Sequence, residues 1–158
     1  MSATTHMLAD DQLVTMQVAT QPFGIPVSSV RDVLGPQAIS RIPLAPDAIA
    51  GSINLRGRIV TVLDLRIVLG LEATAQREKA MNVVIDHHGE LYSLLVDQVG
   101  DVLPLDEKLI EPLPQTISPE WRAVSSGIVK LKDQLVLILV PDSLLSLTGV
   151  SAAAGMDA

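Results

Sequence analysis

The chain contains no cysteine. That excludes a disulfide framework, a thiolate nucleophile and any Cys-ligated metal, and it suits a reducing compartment. Aromatic side chains are nearly as scarce, with Phe23, Tyr92 and Trp121 the only three in 158 residues. Binders of single-stranded nucleic acid need several exposed rings as stacking platforms, and they need a basic face. Here 11 Lys and Arg stand against 18 Asp and Glu, a formal charge of −7, so no nucleic-acid partner is expected. Long apolar runs are missing too. The longest, Leu135–Val140, falls far short of the roughly 20 residues a membrane-spanning helix needs. The opening MSATTHMLADDQ has neither the basic nor the apolar region of a secretory signal. Direct membrane insertion is therefore not expected, and the chain reads as a cytoplasmic protein.

What is present is aliphatic. Hydrophobic residues make up 48% of the chain and the mean hydropathy is +0.41, too apolar for a disordered chain. Val and Ile favour strands, and segments such as LVTMQVA, RIVTVLDL, MNVVID and QLVLILV are broken at Gly, Pro, Asn and Asp, as strand ends are. Helix candidates are few and short: Pro46–Ala50, Leu65–Leu69, Pro119–Val124 and Pro141–Leu147, each opening at Pro or following Asp. The fold class expected is all-β with a few short helices. Residues 1–11 and 148–158 lack periodicity and are expected to be flexible tails around a domain at 12–147.

The domain repeats itself. In Phe23–Leu34, the residues Val27, Val30, Asp32, Val33 and Leu34 recur as Val96, Val99, Asp101, Val102 and Leu103 of Tyr92–Leu103, with Phe23 set against Tyr92. Further on, Gly51, Ile53, Leu55, Ile59, Val60, Val62 and Leu63 correspond to Gly127, Val129, Leu131, Leu135, Val136, Ile138 and Leu139. Each second block holds two strands around a tight connection, Arg56-Gly57 or Lys132-Asp133. A duplication of this kind implies two small intertwined β-barrels of roughly 70 residues, parting near residues 70–80. Neither could bury enough surface alone, so an apolar seam between them is expected.

Catalytic motifs are missing: there is no G-x-S-x-G elbow, phosphate-binding glycine loop or H-E-x-x-H helix. His87 and His88 are adjacent, and neighbours on a strand point to opposite faces, which argues against a shared metal there; on a turn they could share one with Asp86 or Glu90, but the polar run and Gly89 read as a solvated hairpin tip. Asp32, Asp64, Asp97 and Asp101 lie at strand ends, where a carboxylate usually caps a turn. No catalytic, cofactor or metal residues are assigned. Charge is unevenly placed, with five Arg against six acids in residues 1–75 and six bases against twelve acids in 76–158. Arg41, Arg56, Arg58 and Arg66 crowd together. Arg56, between a strand and a Gly turn, is by spacing alone either a solvated hairpin charge or an interface anchor.

The segments FGIPVSSVRDVL, VVID, LLVDQVGDVLPL and LVLILV, with the G-x-x-N-L-R-G-x-x-x-x-V-x-D-L-R run from Gly51 to Arg66, resemble the CheW family of bacterial chemotaxis coupling proteins. The resemblance covers about residues 12–147. It implies two five-stranded, SH3-like barrels around a shared core, no enzymatic activity and no cofactor. It also implies two partners, the cytoplasmic signalling tip of methyl-accepting chemoreceptors and the regulatory domain of a CheA-type histidine kinase, with recruitment to receptor arrays at the inner membrane. By residue match, the receptor groove would hold Val30, Asp32, Val33, Arg56, Val83, Val99 and Val102, with Gly51 and Gly57 shaping the approach. Residues 111–117 fall where the family makes a second contact with the kinase; Glu111 and Thr116 stand there, where a basic and an aromatic residue can occur. The alternatives are a paralogue serving a pilus-type or other non-motility pathway, and a small metal-dependent enzyme built on His87 and His88.

Overall fold

A pattern of short apolar segments broken at Gly, Pro, Asn and Asp runs along most of the chain. In the computed structural model it resolves into eleven strands and three short helices among the described residues, which are 12–131 and 134–148. The strands are β1 (Gln12–Val18), β2 (Gln21–Pro26), β3 (Val30–Leu34), β4 (Ile49–Leu55), β5 (Arg58–Asp64), β6 (Met81–His87), β7 (Glu90–Val96), β8 (Gln98–Pro104), β9 (Ile110–Glu111), β10 (Ser125–Leu131) and β11 (Gln134–Leu139). The helices are α1 (Leu65–Val68), α2 (Pro119–Val124) and α3 (Pro141–Thr148). Asp64 caps α1, its side chain accepting from the Arg66 amide at 3.2 Å. Ser118 caps α2 just ahead of Pro119, and α3 also opens at a proline. The expected helix at Pro46–Ala50 is instead a turn, closed by the Ile49 amide on the Pro46 carbonyl at 2.9 Å, because Ile49 and Ala50 are already paired in β4.

Of the expected tails, 1–11 and 149–158 lie outside the described residues, as does the Lys132-Asp133 connection. Thr148, placed in the C-terminal tail from sequence, is the buried last residue of α3.

The strands form two sheets, one in the order β8-β1-β2-β11-β10-β9 and one in the order β3-β6-β7-β5-β4. The first has one strand more than the five expected, the two-residue β9; its counterpart in the second is the single bridge Ser40–Ser52. The second sheet is one continuous stretch, Val30–Val96, and the first is made from both ends of the chain. The chain therefore passes between sheets around Val27–Ser29 and at Asp97, and residues 70–80 lie within the span of one sheet.

The repeat holds to the residue. Val30 opposes Ile85 as Val99 opposes Met16, and a bulge follows each pair before Val33–Val83 and Val102–Val14. Thr61 opposes Tyr92 in parallel pairing, as Leu137 opposes Phe23. The Asp64 amide bonds the Ala48 carbonyl at 2.7 Å and the Val140 amide bonds the Val124 carbonyl at 2.8 Å. Yet each sheet mixes the copies. The hairpin β1–β2 of the first copy sits among β8, β10 and β11 of the second, while β6–β7 sits among β3, β4 and β5.

This exchange explains the burial. One core, including Met16, Phe23 and Ile25 from the first sheet and Val83, Ile85 and Leu94 from the second, fills the seam. The opposite faces of the strands close smaller cores, one around Val60, Val62, Val84 and Leu95 and another around Leu13, Val129 and Ile138. β6 and β7 are thus covered on both sides, which is why they carry near-continuous apolar runs. Asn82, buried in β6, is satisfied by the Ser93 hydroxyl at 2.8 Å and the Gly35 carbonyl at 3.2 Å.

Candidate partner-binding site

Arg56 and Gly57 form the two-residue connection between β4 and β5, with φ of +52° and +87°. Positive φ at both central positions is the turn that matches strand twist, and Asn54 secures it by accepting from the Gly57 amide at 2.9 Å. The Arg56 side chain is 79% exposed and reaches Asp32 at 3.3 Å. Asp32 lies on β3, at the opposite edge of the same sheet from β4. The sheet is therefore curled until its edges meet, and the Ser40–Ser52 bridge closes it at a second point. Gly51 makes that bridge possible: its φ is +148°, and any Cβ there would overlap the Ser40 carbonyl.

Beside Asp32 stands Val33, 40% exposed, and its repeat counterpart Val102 is 50% exposed. Val30 and Val99 are half-buried and pack on the seam core from the two sheets, and β8 touches β6 across the seam. Val83 departs from expectation. It is fully buried in the seam core beneath β3, so it supports this surface and has no side chain to offer a partner. Gly57 has open space around it. Glu111 lies on the terminal strand β9 and pairs with Lys130 at 3.5 Å, and Thr116 is exposed in the turn before α2. A cleft of about 750 Å³ lies elsewhere, between residues 41–50 and α1, and none of the groove residues lines it.

Three features of the surroundings were not legible as sites. Asp97, read as a turn cap, does bond the Ala19 amide at 2.7 Å, but it also accepts Arg66 through Nε at 3.1 Å and Nη2 at 2.7 Å. The Arg66 fork holds the Asp97 carboxyl below its ordinary range against the opposing effect of burial, and Asp97 in turn raises the guanidinium. Asp64 is wholly buried and takes Arg77 at 3.1 Å and the Thr74 amide and hydroxyl at 2.9 and 2.8 Å, pinning the segment after α1. Trp121, set apart from the other rings in the sequence, packs edge-on against Phe23 at 5.4 Å and donates to the Leu69 carbonyl at 2.9 Å. The D-L-R run held two of these residues, but nothing in it named their partners. The geometric objection to His87 and His88 also fails: His88 has φ +53°, and the two rings lie 4.2 Å apart.

Residues 12–148 match the model of the CheW-like domain. The chain belongs to the CheW-like family. A probable chemotaxis protein CheW from Rhizobium etli is 28% identical over 144 residues, covering 91% of this chain and 93% of the relative. The chemotaxis protein CheW of Helicobacter pylori is 26% identical over 134 residues, covering 85% and 81%. The crystal structure of the scaffolding protein TtCheW from Thermoanaerobacter tengcongensis superposes with a TM-score of 0.73 at 32% identity, covering 83% of this chain and 89% of that one. CheW-like architecture thus accounts for both sheets and the seam. No helix among the described residues is long and apolar enough to cross a membrane.

Proposed function

We propose that this CheW-like chain is a non-enzymatic adaptor coupling the signalling tip of methyl-accepting chemoreceptors to the regulatory domain of a CheA-type histidine kinase, and that it is recruited from the cytoplasm to receptor arrays at the inner membrane. Its relationship to chemotaxis scaffolds along nearly the whole domain supports the role. The observation that carries the site is Arg56. A rigid turn holds it out into solvent with one exposed ion pair, a contact that contributes little to folding, beside an exposed valine. A guanidinium so presented, beside the Asp32–Val33 strand, suits a helical partner that buries apolar side chains and hydrogen-bonds the fork, with Val102 as the counterpart of Val33 on the other sheet. Val30, Asp32 and Val99 would complete that surface, with Gly51 and Gly57 setting its outline. Glu111 and Thr116 are proposed as a second contact with the kinase.

The test is a pulldown of receptor signalling domain and kinase regulatory domain with wild type, Arg56→Ala and Val33→Asp. Wild type binds both. Both variants keep the wild-type melting curve and lose receptor binding. Failure of the wild type to bind either partner refutes the role; retention of receptor binding by both variants refutes the site.

A further inference from the structure

The tip of β6–β7 and the first turn of α3 bring three metal-ligating side chains together. His87 ends β6, His88 opens the turn and Asp142 is the second residue of α3. His87 Nδ1 lies 3.1 Å from Asp142 Oδ1, and one ligand atom from each of the three lies within 4.8 Å of the other two. Consecutive strand residues would diverge; the left-handed backbone at His88 instead turns its ring back onto that of His87.

The donor set is selective. Two imidazoles and a carboxylate suit Zn²⁺ and the neighbouring late divalent metals, not Mg²⁺ or Ca²⁺. Around a tetrahedral zinc with bonds of about 2.0–2.1 Å, ligand atoms stand roughly 3.3 Å apart. The His87–Asp142 pair is already close to that separation, and His88, exposed on the turn, has its ligand atom within 4.8 Å of both. The cations nearby are engaged elsewhere: Arg31 lies 3.7 Å from Asp86, and Arg58 donates to the Gly89 carbonyl at 3.4 Å. Glu90, across the turn, adds a further negative charge.

The internal repeat gives this place a counterpart. Ala19, with φ +57°, occupies the position of His88 in the other hairpin, and Arg66 occupies that of Asp142 in the other helix. There Asp97 ties helix to turn by bonding Arg66 and the Ala19 amide. Among the described residues the second copy has no such bidentate fork at the same joint; the contact there is His87–Asp142, whose carboxylate is 75% exposed.

We propose that His87, His88 and Asp142 form a binding site for Zn²⁺ or a related divalent metal, which clips the β6–β7 hairpin to α3 and leaves a further coordination position to solvent.

The test uses the full chain, stripped of metal, in a His6→Gln background that removes the imidazole of the N-terminal segment. Zn²⁺ is titrated by calorimetry, and Co²⁺ by its visible absorption. One equivalent binds saturably, and with zinc at about 100-fold the dissociation constant the melting midpoint rises by roughly 5–10 °C. His88→Asn, which tolerates the left-handed backbone, and Asp142→Asn each weaken binding about 10-fold or more. Their metal-free melting curves establish that both fold. Absence of saturable binding, or unchanged affinity in either variant, overturns the proposal.

Discussion

Asp97 holds the two sheets together at a point where the cost of losing it can be worked out. Its carboxylate takes both arms of the Arg66 fork and the Ala19 amide, tying the turn of β1–β2 to α1. Asp97→Ala removes the fork and leaves a guanidinium and an amide without their acceptor. A fully exposed ion pair contributes about 0.2–1 kcal/mol, and hydrogen bonds to charged groups about 1.5–3 kcal/mol. Both side chains are 27% exposed, so the expected cost lies between these ranges, at about 2 kcal/mol. For a chain of this size that lowers the melting midpoint by roughly 4–8 °C. Trp121, packed on Phe23 in the seam core, is the single tryptophan and reports unfolding by fluorescence. A double-mutant cycle with Arg66→Ala isolates the pair. The pH dependence has a definite sign. Arg66 holds the native carboxyl below the ordinary 3.8, so its contribution is fully present above that value and is lost as pH falls through the lower native pKa. The gap between wild type and Asp97→Asn is therefore constant from pH 7 to about pH 5 and closes in stronger acid. A coupling energy below about 0.5 kcal/mol at pH 7, or a gap that does not narrow in acid, would refute the reasoning.

Two further outcomes are expected. Gly51→Ala forces a Cβ into the Ser40 carbonyl and breaks the Ser40–Ser52 bridge, costing about 2–4 kcal/mol, whereas Gly57→Ala meets open space and costs about 1 kcal/mol for its backbone angle alone; parallel urea titrations of the two compare them directly. Trp121→Phe retains the ring against Phe23 but loses the bond to the Leu69 carbonyl, a cost of about 1 kcal/mol measurable by circular dichroism.

The repeat was legible because each copy keeps the same apolar frame and the same glycine at the same bulge. Gly51 and Gly127 both stand where a strand edge comes too close for a side chain. Strand identity follows from such patterns; strand partners do not. Nothing local distinguishes a β1–β2 hairpin that pairs with its own copy from one that pairs with the other, since Val30–Ile85 and Val99–Met16 are interchangeable apolar pairs. For the site, Arg56 was legible through the N-L-R-G run and Asp32 through the FGIPVSSVRDVL segment, and the structure joins them. Val83 was misplaced because a strand buried on both faces carries the same residues as one lining a groove. The approach of His87 to His88 depends on one positive φ, which histidine does not announce.

Exchanged hairpins also set the order in which the protein can be assembled on the ribosome. Every strand of the β3–β7 sheet has been synthesised once Val96 emerges, but β1 and β2 must wait for β8 and then for β11, which ends at Leu139. At cellular synthesis rates that wait is on the order of ten seconds, during which the first hairpin has unpaired edges on both sides. Its partners are the last strands made, and another nascent copy of the chain offers the same partners. The characteristic misassembly is thus a dimer in which two chains trade N-terminal hairpins, and the rate of closure by β8 and β11 decides how often it forms.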